Sequence, residues 1–315
     1  MVVFLFLLGL LLIVKGGDWF LDGAVWIAEA SGVPRFIIGA TVVSLATTLP
    51  ELTVSITGVL ENQVDMAVGN AVGSVTANLG LIMAISVICI PSVVNRRQFS
   101  FKAILMALAA VLLLVFCAAG SLPVLPSLIL FIVFILFLAN NILDARTSIS
   151  GRREEQAGER RTVSHRQAFY KLALFALGLV SILIGSRLLI NYGSKLALLL
   201  GVPSSIIGVT LVAVGTSLPE LVTTITAIAR KEASLSIGNI IGANVIDLTM
   251  ILPICSMISG GKLAIAQQTT SLDLPACLTV CLVAVLPPLF KGKFYRWQGF
   301  ALLGLYIAYL IRLIA

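Results

Sequence analysis

Charged residues are scarce in this chain: Asp, Glu, Lys and Arg make up 11% of its 315 residues, and there is a single histidine. A water-soluble domain of this length needs far more polar surface, so a soluble globular protein is excluded. The histidine, His165, lies in a basic stretch, and the chain has no His-Glu-x-x-His sequence. A membrane-embedded hydrolase would lack its metal ligands, and we therefore expect no enzyme activity.

The cysteines are not spaced as metal ligands or as a redox pair would be. All five cysteines lie in apolar runs, and only two of them, Cys277 and Cys281, share a helix face. Apolar surroundings favour ordinary packing over metal or redox chemistry. We expect no resident cofactor.

Long apolar runs dominate the sequence instead. Hydrophobic residues make up 59% of the chain, and the mean hydropathy is +1.10. The runs are long enough to cross a hydrocarbon core of about 30 Å, and none of them alternates as a barrel strand would. We predict an all-α integral membrane protein with ten transmembrane helices, at residues 2–30, 36–59, 67–90, 102–119, 124–143, 169–199, 205–228, 237–258, 272–289 and 297–314.

Basic residues are concentrated in alternate loops. These loops carry 16 of the 21 Lys and Arg residues, at Arg35, in 96–102, in 146–171, at 230–231 and in 291–296. The opposite loops are neutral or acidic, as in Glu61-Asn-Gln-Val-Asp65. By the positive-inside rule, both termini are predicted to lie outside. This distribution accounts for the net charge of +7 without a nucleic-acid partner.

The second half of the chain repeats the sequence of the first half. Equivalent residues are separated by a constant difference in residue number, the repeat offset, which takes Gly32-Val-Pro34 to Gly201-Val-Pro203. At this repeat offset, about 20 of the 51 aligned positions from Gly32 onward are identical without a gap. Each half holds five spans, an odd number, so the second half must enter the membrane inverted. We predict a first five-helix repeat at 1–143, a polar cytoplasmic linker at 144–168 and a second, inverted five-helix repeat at 169–315.

Two apolar spans carry the same polar motif. The second contains Ser44-Leu-Ala-Thr-Thr-Leu-Pro-Glu51, and the seventh contains Ala213-Val-Gly-Thr-Ser-Leu-Pro-Glu220. A proline inside a helix frees the carbonyl four residues earlier. Carbonyls, hydroxyls and a carboxylate together form an all-oxygen environment, which suits hard cations such as Na⁺ and Ca²⁺.

The spans that follow these motifs add further polar side chains at helical spacing. The first copy has Asn70, Ser74 and Asn78 at four-residue steps, and the second has Asn239, Ala243 and Asp247. Charges within a bilayer are costly, so carboxylates there need a cation, a partner or a proton. A duplicated Pro-Glu favours a binding function over structural hydrogen bonding between helices.

Polar stripes on the first and sixth spans favour a structural interpretation. Lys15, Asp18 and Asp22 form one stripe, and Arg187 and Asn191 belong to the other. Pairing of Lys15 with Asp18, together with side chains that reach the membrane surface, would account for most of this polarity.

The paired Leu-Pro-Glu and Gly-Asn…Gly motifs resemble the two alpha-repeats of the cation/Ca²⁺ antiporter superfamily, and the ten-span layout resembles it over the whole chain. The likeness is greatest to short prokaryotic sodium/calcium exchangers. It implies a Na⁺/Ca²⁺ antiporter in a prokaryotic cytoplasmic membrane that works by alternating access, with a monomeric transport unit in the lipid bilayer.

The resemblance also implies four ion positions. A central Ca²⁺ would be held by Glu51 and Glu220 with backbone oxygens of Thr47 and Thr216, and Asn78 and Asp247 would border the middle position. One flanking Na⁺ site would use Ser74, Ser217 and the Ala213 carbonyl. The other would use Thr48 and the Ser44 carbonyl.

Three residues depart from the family pattern. Val75 replaces an asparagine, Thr48 replaces a serine, and Ala243 replaces a serine whose hydroxyl would face the inner Na⁺ site. The loss at Ala243 leaves the number of Na⁺ ions per cycle open, and it favours the alternative of H⁺ as the coupling ion. A passive channel of the same fold is a further alternative, and flux that ignores a counter-ion would identify it.

Overall fold

The structure is a computed structural model that describes residues 1–155, 165–199 and 217–314. The predictions for Gly201-Val-Pro203, Ala213 and Thr216 lie outside the described residues, as does most of the predicted seventh span before Ser217.

Helices make up most of the described chain. They are α1 (Val2–Ser31), α2 (Arg35–Thr47), α3 (Leu49–Leu60), α4 (Val64–Cys89), α5 (Arg96–Cys117), α6 (Val124–Glu155), α7 (His165–Leu199), α8 (Leu218–Ala229), α9 (Ala233–Ile258), α10 (Thr269–Lys291) and α11 (Arg296–Ile314). Two short strands, β1 (Ser121–Pro123) and β2 (Lys262–Ala264), pair antiparallel.

Seven of the described helices are long and apolar enough to cross a membrane, and the bent pair α2–α3 makes an eighth. The chain is therefore a multi-pass membrane protein. Helices α6 and α7 extend beyond their predicted spans, because α6 continues to Glu155 and α7 begins at His165. Both ends of the predicted 144–168 linker are thus helical.

The repeat offset that relates the two sequence copies also relates their helix boundaries. It takes the start and end of α3, Leu49 and Leu60, to the start and end of α8, Leu218 and Ala229. Asn62 and Lys231, which occupy equivalent turns, are the two non-glycine residues of the described chain with positive φ, at 61° and 59°. Equivalent sequence has therefore adopted equivalent local structure.

The loops at the two ends of the bundle are also tied in equivalent ways. Strand β1 pairs with β2 through Pro123 and Lys262. An isolated antiparallel bridge joins Val93 to Lys293, and the repeat offset takes Val93 to Lys262.

Helices α4 and α9 form the centre of the bundle. Within their most apolar windows, 72% of α4 and 83% of α9 is buried, against 22% for α1 and 28% for α7. The exposed residues of α1 are mostly apolar, as a lipid-facing helix requires. At Gly238 of α9 a side chain would collide with the Phe36 carbonyl of α2, so glycine is needed where these backbones cross.

Two sequence interpretations of charged side chains are wrong. The charge pattern assigns Lys102 to a basic loop, yet Lys102 lies within α5 and is fully buried against Asp144. Helical spacing pairs Asp18 with Lys15, whereas in the structure Asp18 accepts a hydrogen bond from Arg230 at 2.8 Å. In both cases the partner is distant in sequence and local spacing could not reveal it.

Candidate functional site

The first Leu-Pro-Glu motif stands at a break between α2 and α3, and the second stands where α8 begins. The axes of α2 and α3 differ by 42°, and the break falls at Thr48, whose φ and ψ are −83° and −2°. Ser217, at the equivalent position before α8, has φ −85° and ψ 8°. Pro50 accounts for the break between α2 and α3, since it has no N–H to donate to the Ala46 carbonyl.

Each motif places a carboxylate at the start of a helix. Glu51 lies in the first turn of α3, and Glu220 lies in the first turn of α8. The free N–H groups and the dipole at a helix N-terminus favour negative charge there. The helix N-termini therefore favour negative charge at both positions, in opposition to the cost of burial.

Three acidic side chains are buried together. Glu51 is 1% exposed, and Glu220 and Asp247 are 0% exposed. Glu51 lies within electrostatic range of both other carboxylates. None of their six oxygens has a hydrogen-bond partner among the described residues. Buried polar atoms are nearly always partnered, so these open oxygens indicate a ligand-binding site.

Hydroxyl and amide groups connect the two copies around the carboxylates. The Thr47 hydroxyl lies beside the Glu220 carboxylate and donates to Asn239 at 3.2 Å. The Asn239 amide in turn donates to Thr223 at 3.1 Å. In the first copy, the Asn70 amide donates to the backbone carbonyl of Glu51 at 3.2 Å. These bonds fix the orientation of the residues that border the carboxylates.

A second connection joins the central helices α4 and α9. The Asn78 amide donates to the Asn244 side-chain oxygen at 3.1 Å. Asn78 and Asp247 each begin a π-helical turn, Asn78–Met83 and Asp247–Ile251. Such turns are frequent at functional sites, because they redirect side chains into a cavity.

The flanking positions of the two copies differ in their hydrogen bonding. Ser217 is 1% exposed and its hydroxyl has no partner among the described residues. The Thr48 hydroxyl instead donates to the Ser44 carbonyl at 2.6 Å. That carbonyl also accepts from the Thr48 N–H at 2.9 Å, which leaves it little capacity for a cation.

All of the predicted site residues that the structure describes are buried. These nine residues are Ser44, Thr47, Thr48, Glu51, Ser74, Asn78, Ser217, Glu220 and Asp247. Among the described residues, no group of three His, Cys, Asp or Glu side chains lies close enough to hold one metal ion. Any bound cation must therefore use hydroxyl, amide or carbonyl oxygens as well.

Two residues near the site were missed in the sequence. Ser55 and Thr223 accept hydrogen bonds from Asn70 and Asn239, respectively. Each follows its Glu by one helical turn, at four and three residues, and that spacing could have revealed both.

These features define a class of protein: a multi-pass membrane protein with unpartnered carboxylates buried among its helices. The sodium/calcium exchanger protein family matches residues 1–143 and 170–315, so the chain belongs to that family.

Individual relatives match nearly the whole chain. An uncharacterized membrane protein of Methanocaldococcus jannaschii is 32% identical over 96% of this chain and 94% of its own. The sodium/calcium exchanger MaX1 of Methanosarcina acetivorans is 30% identical over 97% of this chain and 96% of its own. A solved structure of the sodium-calcium exchanger NCX_Mj, soaked with Na⁺ and Sr²⁺, covers 98% of each chain with a TM-score of 0.81 and 30% identity.

Proposed function

We propose that this protein exchanges Na⁺ for Ca²⁺ across a membrane by alternating access. The observation that carries the proposal is the group of buried, unpartnered carboxylates Glu51, Glu220 and Asp247 in a member of the sodium/calcium exchanger family. The similarity to exchangers of archaeal origin supports the same pair of ions.

The central Ca²⁺ is assigned to Glu51 and Glu220. Two carboxylates balance the charge of a divalent ion, and Ca²⁺ takes six to eight oxygen ligands. Backbone oxygens of Thr47 and Thr216 would complete the set, with Asn78 and Asp247 at its border. The position of Thr47 beside Glu220 supports its part in this assignment.

The two Na⁺ sites are assigned unequal strength. Ser217, with Ser74 and the Ala213 carbonyl, would form the stronger one, and the unpartnered Ser217 hydroxyl supports this. The site at Thr48 is weaker, because the Ser44 carbonyl already accepts hydrogen bonds from Thr48. Ala243 adds no hydroxyl there.

Ten spans in two inverted five-helix repeats remain the proposed architecture, with both termini outside. The boundaries of α3 and α8, which the repeat offset superimposes in sequence, support the repeat. In inverted-repeat transporters the site lies between the repeats near the bilayer midplane. Since ligands come from both copies of one chain, we propose a monomeric transport unit, in a prokaryotic cytoplasmic membrane.

Coupling follows from competition for shared carboxylates. One Ca²⁺ neutralises Glu51 and Glu220, and several Na⁺ ions on overlapping oxygens do the same. The empty site is costly to carry through a closed, dehydrated state, because its charges would have no counter-ion. Bound Ca²⁺ or bound Na⁺ lowers this cost, so the protein switches between its two access states only with ions bound.

Uptake of ⁴⁵Ca²⁺ into proteoliposomes tests the proposal. Vesicles loaded with Na⁺ and diluted into Na⁺-free buffer are expected to accumulate Ca²⁺, and choline-loaded vesicles are not. Uptake driven by a pH gradient without Na⁺ would instead identify H⁺ as the coupling ion, for which Ala243 is the residue to examine. Uptake that needs neither gradient would contradict antiport.

A further inference from the structure

The repeat extends to helices α1 and α7, which cross at a seam of glycines. The repeat offset takes Gly9 and Gly16 of α1 to Gly178 and Gly185 of α7. A Cβ on Gly9 would lie 3.0 Å from the Gly185 carbonyl oxygen, and one on Gly16 would lie 2.9 Å from that of Gly178. Close approach through small residues joins the two helices into one pair.

At one end of the bundle, α1 is held against α8. Arg230, in the turn after α8, donates hydrogen bonds to Asp18, at 2.8 Å, and to Asp22. Along the same contact, Gly17 of α1 packs against Thr226 of α8. A polar cavity of about 360 Å³ borders Asp22 and Arg230, so water reaches this ion pair.

At the other end, the positions equivalent to Arg230 and Asp18 carry residues of opposite charge. Glu61, in the turn after α3, is equivalent to Arg230. On α7, Arg187 is equivalent to Asp18, and Asn191 is equivalent to Asp22. The carboxylate thus lies in the turn and the guanidinium on the long helix, the reverse of the Arg230 end.

In this structure no ion pair closes the end of the bundle that carries Glu61, which we call the Glu61 end, among the residues described. Glu61 and Arg187 are exposed, and neither takes part in the ion pairs found in the described part of the chain. Thr57 of α3 is exposed, whereas its equivalent Thr226 is partly buried beneath α1. Helix α1 packs against α8, whereas its repeat equivalent α7 does not pack against α3 in the same way.

We propose that Glu61 and Arg187 pair in the opposite state of the transport cycle, when the Arg230 pair with Asp18 and Asp22 is broken. This inference rests on the proposed alternating access, in which inverted repeats exchange their conformations. If α1 and α7 move together past the rest of the bundle, the open end acquires the contacts that the closed end now has. The two ion pairs then act as alternating latches.

The strength of such pairs suits this role. Ion pairs that water can reach contribute little, about 0.2–1 kcal/mol, so neither latch locks the protein in one state. Each one biases the equilibrium between states by about 1.4- to 5-fold.

Thiol labelling at the end remote from the substitution tests the proposal. Thr226→Cys reports opening of the Arg230 end, in a Cys89→Ser background because the other four cysteines are buried. Glu61→Gln and Arg187→Gln are each expected to slow labelling at position 226 by about 1.4- to 5-fold, since they weaken the state in which the Arg230 end is open. Neither residue belongs to an ion pair among the described residues, so the melting temperature is expected to stay unchanged.

Controls separate a latch from a simple surface charge. Asp65→Asn removes a nearby exposed carboxylate and is expected to leave labelling at 226 unchanged. The exchange of both charges, Glu61→Arg with Arg187→Glu, is expected to restore the original rate. Labelling at 226 that is unaffected by Glu61→Gln and Arg187→Gln would overturn the inference, and so would failure of the double exchange to restore it.

The labelling experiment needs purified protein but no ion gradient, so its outcome does not depend on which ions are transported. Failure of Na⁺-driven ⁴⁵Ca²⁺ uptake with the labelling result intact would reject the proposed ions and leave the latches. Normal Na⁺-driven uptake with unchanged labelling would support the proposed ions and reject the latches.

Discussion

Two groups of buried charged residues in this protein are built in opposite ways. Lys102 of α5 is 0% exposed, and its ammonium donates to Asp144 at 2.5 Å, to Asn140 at 3.0 Å and to the Gln98 carbonyl at 3.1 Å. All three of its protons are used. The carboxylates of Glu51, Glu220 and Asp247 are equally buried and have no partner among the described residues.

Under the proposed function, this difference distinguishes structural charges from the charges that bind the ion. A structural charge is folded together with its partners, because an unpaired charge in low dielectric destabilises the protein. A binding charge keeps its oxygens free for an ion that arrives later. Burial alone does not separate the two cases, whereas hydrogen-bond satisfaction does.

The largest expected effect comes from neutralising a binding charge. Glu51→Gln and Glu220→Gln each remove half of the charge that balances Ca²⁺, at a cost of about 3–5 kcal/mol in ion binding. Na⁺-driven ⁴⁵Ca²⁺ uptake should then fall by about 100-fold or more. Thermal unfolding without added cations should stay unchanged or rise, because a buried unpaired charge has been removed.

Asp65→Asn is the matched control for these variants. Asp65 is an exposed carboxylate near the start of α4, and its loss should leave uptake near normal. Near-normal uptake by Glu51→Gln would contradict the coupling scheme, since one carboxylate would then suffice for exchange.

Neutralising the structural charge should act on stability instead. Lys102→Met leaves Asp144 beside an apolar side chain without its cation, and we expect a loss of about 3 kcal/mol in the free energy of unfolding. Denaturant unfolding in detergent measures it. The double variant Lys102→Met with Asp144→Leu should recover most of the loss, because no unpaired charge remains. If Lys102→Met were as stable as the parent, the pair would not have a structural role.

Asp247→Asn should have the smallest effect of the three. Glu51 and Glu220 already balance the charge of Ca²⁺, and the amide keeps an oxygen for the ion. We expect uptake to fall by less than about tenfold, a cost of under about 1.4 kcal/mol. A loss as large as that of Glu51→Gln would place Asp247 among the essential ligands, and measurements on the two variants side by side would show it.

Much of the helical architecture could be predicted from sequence, because apolar runs and repeated motifs can both be read directly from the residues. Apolar runs predicted the membrane helices, and the repeat offset predicted equivalent boundaries in α3 and α8. Burial of Lys102 could not be predicted, since its partner Asp144 lies 42 residues away on another helix. The same holds for Asp18 and Arg230, which are 212 residues apart.

The sequence proposes the residues of the candidate site but does not predict their hydrogen bonding. The motifs around Glu51 and Glu220 identified the acidic centre, because proline and carboxylate within apolar spans are conspicuous. The bond from Thr48 to the Ser44 carbonyl, and the open Ser217 hydroxyl, depend on side-chain rotamers that spacing does not determine. The difference in hydrogen bonding between Thr48 and Ser217 therefore emerged only from the structure.

Ca²⁺-dependent stability is the most direct test of the claim that the unpartnered carboxylates form the ion site. A ligand that binds only the folded state stabilises it by about 2.7 kcal/mol at 100 times its Kd. Thermal unfolding of the parent and of Lys102→Met should shift upward with Ca²⁺ concentration, while that of the Glu51→Gln, Glu220→Gln double variant should not. An equal shift in the double variant would contradict the account, because Ca²⁺ would then bind elsewhere.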